Sequence, residues 1–138
     1  MTARISDAAQ NAAVNAVTAL IDAGASAGTL KIYTGSAPGD ADTAPTGTLL
    51  VTVTLNDPAY AAASGGVAAL DVTPALSGGA VATATAGYFL IEDSNGVNIM
   101  TGSITATGGG GDLELTDITL TSGQTVNITS LNVSIPSE

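Results

Sequence analysis

The chain contains no cysteine, no histidine and no tryptophan, and its only cationic side chains are Arg4 and Lys31. Without cysteine there is no disulfide framework and no thiolate nucleophile. Without histidine the usual proton carrier near neutral pH is missing, and a serine has no imidazole to activate it. Two cations are too few to neutralise a phosphate backbone or an anionic bilayer, so neither nucleic acid nor membrane is an expected partner. Aromatic side chains are limited to Tyr33, Tyr60, Tyr88 and Phe89, a poor supply of stacking platforms for sugars. Long apolar runs are also absent. The stretch Ala8 to Ala23 spans 16 residues and is interrupted by Asn11, Asn15, Thr18 and Asp22, whereas a membrane-spanning helix needs about 20.

What is present is acid and small apolar residues. Twelve carboxylates give a formal charge of −10, and 45% of the 138 residues are apolar, chiefly alanine and valine. That length suits one domain, residues 1–138, with one real core of small branched side chains rather than a deep ligand pocket. A net negative surface favours dispersal at high concentration, or docking onto a basic or apolar partner.

Two periodicities divide the chain. Residues 6–23 read as an amphipathic helix, with Ser6 as cap and Asp7 in the first turn, where the helix dipole favours negative charge. Val14, Val17 and Leu20/Ile21 are expected to face the body, with Asn11, Asn15, Thr18 and Asp22 opposite them. Arg4 before this stretch and Ala25-Ser26-Ala27 after it give it the look of a leader peptide. Asn11 and Asn15 fall inside what would be its apolar centre, so a mature helix is expected.

From residue 29 to 135 the period becomes 2. Strands are expected at 30–33, 48–55, 67–73, 87–93, 97–101 continuing through 103–107 after a kink at Gly102, 112–120 and 125–135. Residues 81–85 are ambiguous. Leu49, Val51, Val53 and Leu55 should share one face. Ser94-Asn95-Gly96 is a hairpin turn. The apolar alternation slips by one between Ile128 and Leu131, which predicts a β-bulge near Thr129–Ser130. The fold class expected is mainly β: an antiparallel sandwich or barrel-like fold with one N-terminal amphipathic helix.

Candidate chemistry is thin. Gly108–Gly111 lacks the following helix and the lysine of a phosphate loop, and is expected to be a flexible hairpin connection. Asp40 with Asp42, and Asp112 with Glu114 and Asp117, are the acidic clusters, and neither has calcium-loop spacing. No metal or cofactor is expected. Lys31 reads as an outward residue of its strand. The acids lie in loops and turns with no facing pair for glycoside hydrolysis, so an enzyme is not expected. Asn127-Ile128-Thr129 and Asn132-Val133-Ser134 match glycosylation acceptors but lie in strand pattern, where outward polar residues are expected.

Four segments carry a resemblance: Ala3 to Val17, Gly28 to Gly35, Gly87-Tyr88-Phe89-Leu90 through Asn95-Gly96, and Gly108 through Leu113. Together they resemble small β-rich structural proteins of tailed bacteriophages, of similar size and similar Ala/Thr/Gly usage. The resemblance implies a virion component, made in the bacterial host cytoplasm and placed on the capsid surface as a decoration or cement protein. It implies a homo-oligomer whose partners are the major capsid protein or other virion proteins. A tail or head–tail connector part, or a surface- or carbohydrate-binding module, are the alternative expectations. Expected partner contacts are Thr2, Ala3, Arg4 and Ile5, together with Asp40 and Asp42 in the long loop 36–47, because loops and chain ends are where such folds meet partners.

Overall fold

The computed structural model describes residues 3–136. The helix α1 runs Asp7–Ile21, capped by Ser6, whose Oγ accepts from the Ala9 N–H. Gly24, in the connection from α1, has φ +111°, and a Cβ there would collide with Ser94 Oγ, so only glycine fits.

Five strands form a sheet that curls as a half-barrel, in the order β2 (Leu49–Thr54), β1 (Thr29–Tyr33), β6 (Tyr88–Glu92), β7 (Asn98–Ala106), β8 (Leu113–Leu115). Three two-stranded pairs complete the body: β4 (Leu76–Gly79) with β10 (Thr125–Ile128), β3 (Val67–Ala69) with β11 (Asn132–Ser134), and β5 (Ala84–Thr85) with β9 (Thr119–Leu120). The fold is therefore mainly β with one N-terminal helix. Leu30, Ile32, Val51, Val53, Phe89, Ile91, Ile104, Leu113 and Leu115 belong to the core cluster, closed by Leu76, Leu120, Val126, Ile128 and Leu131. β4 crosses so near β2 that a Cβ at Gly78 would lie 2.5 Å from Thr52 O. As expected of a strand apolar on both faces, every residue of β6 is buried.

Several expectations are corrected. The helix face is shifted: Val14 and Ile21 are buried as expected, but Gln10 and Thr18 are buried with them, while Leu20 is 53% exposed. Of the polar row expected opposite the apolar stripe, Thr18 is buried, Asn11 and Asp22 are half-buried and Asn15 is exposed, and three of the four meet a neighbouring loop. Their side-chain oxygens accept from the loop after β2: Asn11 from Gly66 N–H, Asn15 from Ala63 N–H and Asp22 from Ala59 N–H, each at 2.8 Å. An irregular loop has main-chain donors that need acceptors, and three side chains spaced four and seven residues apart on a helix supply them. Gln10 Nε2 donates to Ile135 O at 2.9 Å.

The expected bulge near Thr129–Ser130 is a full break. The chain leaves β4 after Ile128 and joins β3 from Asn132, with Leu131 buried between. A bulge does occur at Leu50, since Ile32 opposes Val51 but Tyr33 opposes Leu49. This moves Leu49 off the inner face to pack beside Tyr33 and Tyr88. The 112–120 stretch is likewise two strands, β8 and β9.

The glycine run is not a hairpin connection. It returns the chain so that β8 lies parallel to β7, with Ile104 opposite Leu113 and Ala106 opposite Leu115. Parallel neighbours normally need a crossover of roughly a dozen residues. Here residues 107–112 suffice, because Gly108 and Gly110 adopt φ near +80° and the backbone at Gly109 and Gly111 presses on Thr105, where a Cβ would clash.

Candidate functional site

The loop 36–47 is a strap laid over the outer face of the sheet. Beneath it Tyr33 and Tyr88, opposite each other on β1 and β6, stack with ring centroids 5.3 Å apart and planes 13° from parallel. Leu90, Ala37 and Leu49 pack around them. Tyr88 fastens the strap at one residue: the Thr46 N–H donates to its oxygen at 2.9 Å, and its O–H donates to Thr46 O at 2.6 Å. Asn98 Nδ2 donates to Ala41 O from β7. Burial raises the pKa of the Tyr33 hydroxyl.

Of the expected contact residues, Ala3, Arg4 and Ile5 are exposed ahead of α1, and Thr2 lies outside the described residues. Asp40 and Asp42 are exposed on the strap. Asp40 also serves the strap itself: its Oδ1 accepts from the Thr43 hydroxyl at 2.7 Å and the Thr43 N–H at 2.8 Å, which holds its carboxyl below the ordinary range. The two groups sit on different parts of the molecule. Helix α1 packs against β3, β11 and β7, whereas the strap covers β1 and β6.

The second acidic cluster is a set of fasteners for the glycine return. Asp112 Oδ2 accepts from the Ser103 N–H and the Ser103 hydroxyl, each at 2.8 Å. Glu114 accepts from the Gly108 and Gly110 N–H groups at 3.1 and 3.0 Å. These bonds favour the charged forms and lower both pKa values. Asp117 accepts from the Thr119 N–H. Among the described residues no cluster of three or more acids has the geometry to hold a metal ion.

Lys31 points outward as expected but is half-buried, and its Nζ lies 2.7 Å from Glu92 Oε2. Asp93 is buried in the β6–β7 turn and accepts from the Val97 and Asn95 N–H groups, which lowers its pKa. The sequence reading missed these acceptor roles. The available signal was an Asp or Glu placed close to Gly, Ser or Asn in a turn, where short-range side-chain to backbone bonds compete with regular structure. No protein-family model, curated protein or solved structure matches the chain.

Proposed function

We propose that the chain is a non-enzymatic structural protein of a tailed-phage particle, a decoration or cement protein that sits on the capsid surface as a homo-oligomer. The observation that carries this reading is how the acids are used. Asp40, Asp93, Asp112 and Glu114 all have lowered pKa values because backbone N–H or hydroxyl groups hold them ionised. Catalysis asks for groups poised near the working pH, whereas these four lock turns in place. A locked, small-residue β body with a net negative surface suits a part made in many copies and added to a lattice, where many weak contacts sum. The resemblance of the four sequence segments adds to it.

A carbohydrate-binding reading is weakened by the same geometry. Tyr33 and Tyr88 are 8% and 1% exposed under the strap, so neither ring offers a face to a sugar.

The test is copy number per purified particle, by quantitative mass spectrometry. A count that follows the capsid lattice is expected, together with greater heat resistance of shells loaded with the protein. A handful of copies, or a count that follows tail rings, would move the protein to the tail or connector.

A further inference from the structure

The half-barrel is not closed, and its open seam has two unpaired walls. One wall is β8, the last strand of the five-stranded sheet. The Thr107 N–H donates to Leu115 O at 2.9 Å, so the main-chain groups of Leu115 face β7. By strand alternation those of Glu114 face outward, away from the sheet. The other wall is the β10–β11 stretch. Gln124 O accepts from the Ala80 N–H, so alternate residues from Gln124 turn their main chain toward β4. The main chain of Thr125 and Asn127 therefore faces the seam. Beyond the break, Leu131 O accepts from the Leu70 N–H and the Ile135 N–H donates to Gly66 O, which leaves Asn132 and Ser134 facing the same way.

Between the walls lie hollows of about 350 and 360 Å³. Thr129 lines both. Buried Leu115, Leu120 and Val126 back the first, and buried Leu131 backs the second. A third hollow, of about 250 Å³, continues the line past Asn132 to Ser134. The linings include Asp112, Glu114 and Asp117 and no lysine or arginine.

The geometry points to this seam as a docking groove for an extended segment of a partner protein, a strand that carries lysine or arginine at alternate positions. Open donors and acceptors along the seam fit a strand added to one wall. Apolar residues at the back take one row of its side chains, and the acidic lining favours cations on the other. A second copy of this acidic chain is the poorer match, since Arg4 and Lys31 are its only cations and Lys31 is held by Glu92. The inference rests on the shell-binding reading only for where such a partner occurs.

The experiment titrates the full chain with the peptide acetyl-Thr-Lys-Val-Lys-Val-Lys-Thr-amide and follows backbone amides by NMR. Shifts are expected at residues 113–116 and 125–132, with affinity falling as salt rises. The peptide with glutamate in place of lysine should bind at least about tenfold more weakly. Thr129→Lys and Asn127→Lys alter exposed groove residues and should each weaken binding by a similar factor, with an unchanged melting temperature showing that they fold. Absence of binding, shifts elsewhere, or equal binding of the glutamate peptide overturns the groove. Because these readouts use no virus particle, their failure is separate from the copy-number test. Normal loading of Thr129→Lys chains onto shells would also overturn the groove while leaving the decoration reading intact.

Discussion

Two segments are laid over the β body, and they are held by opposite means. Helix α1 is regular and docks through Val14 and Ile21 in the core and through polar side chains at its edge, with Asn11, Asn15 and Asp22 accepting from an irregular loop. The strap 36–47 is irregular and docks over an aromatic pair, with one tyrosine hydroxyl bonding both main-chain groups of Thr46. In each case the irregular partner's main chain must be satisfied, and the regular partner provides the groups. The difference lies in what holds the contact when conditions change. Two of the three helix acceptors are amides that do not titrate. The strap's internal turn depends on the Asp40 carboxylate, and the glycine return on Asp112 and Glu114.

The largest effect should come from the strap. Tyr88→Ala removes the stack and both Thr46 bonds, and should cost about 3–5 kcal/mol in urea unfolding, with new protease cuts within 36–47. If the strap stays protected, it is held by something other than Tyr88. On the helix side, Asn11→Ala leaves the part-buried Gly66 N–H without an acceptor, at about 1–3 kcal/mol, and Asn15→Ala, whose bond is exposed to water, should cost about 0.5–1.5 kcal/mol. Leu20→Gln on the exposed face should stay within about 0.5 kcal/mol. A reversed order would restore the helix orientation that the sequence suggests.

Acid should separate the two kinds of attachment. A carboxylate whose pKa is lower in the folded chain stabilises at pH above its unfolded value, and that contribution is lost as pH falls through the folded value. Protection of the Thr43, Gly108 and Gly110 amides should therefore be full at neutral pH. It should fall as pH drops below the ordinary Asp and Glu values of 3.8 and 4.5, while Gly66 and Ala63, held by amide side chains, keep theirs. Simultaneous loss would mean that the covers do not open separately. The smallest effect concerns Tyr60, whose buried hydroxyl has no hydrogen-bond partner and whose pKa burial raises. Tyr60→Phe removes that unmet group, so the melting temperature should stay level or rise.

The helix limits and β1, β2, β6 and β7 were legible because period and capping are local properties, whereas β4 fell in no expected strand and the expected strand 67–73 is strand only over Val67–Ala69. Ser6, Gly24, the Asn95-Gly96 turn and the all-buried β6 could each be read from neighbours in sequence. The helix face was not, because the rule that polar residues face water fails where a loop has unmet N–H groups. Asn11 and Gly66 are 55 residues apart, and no local pattern announces their pairing. The parallel return was hidden for a similar reason: four glycines read as slack until Thr105, Asp112 and Glu114 are seen to hold them. The seam has no sequence signature, since it is formed where β8 and β10 fail to pair.

The bond from Gln10 to Ile135 ties the first helix to the last strand across 125 residues, and Gly66 lies between them, donating to Asn11 and accepting from Ile135. Under mechanical load this is a clasp. Force applied between the helix and the last strand would load the Gln10–Ile135 bond and, in parallel, the route from Asn11 through Gly66 to Ile135. Forced opening follows the rate of rupture rather than overall stability. Resistance to pulling in that direction is therefore shared between the direct Gln10–Ile135 bond, the path through Gly66 and the packing of Val14 and Ile21.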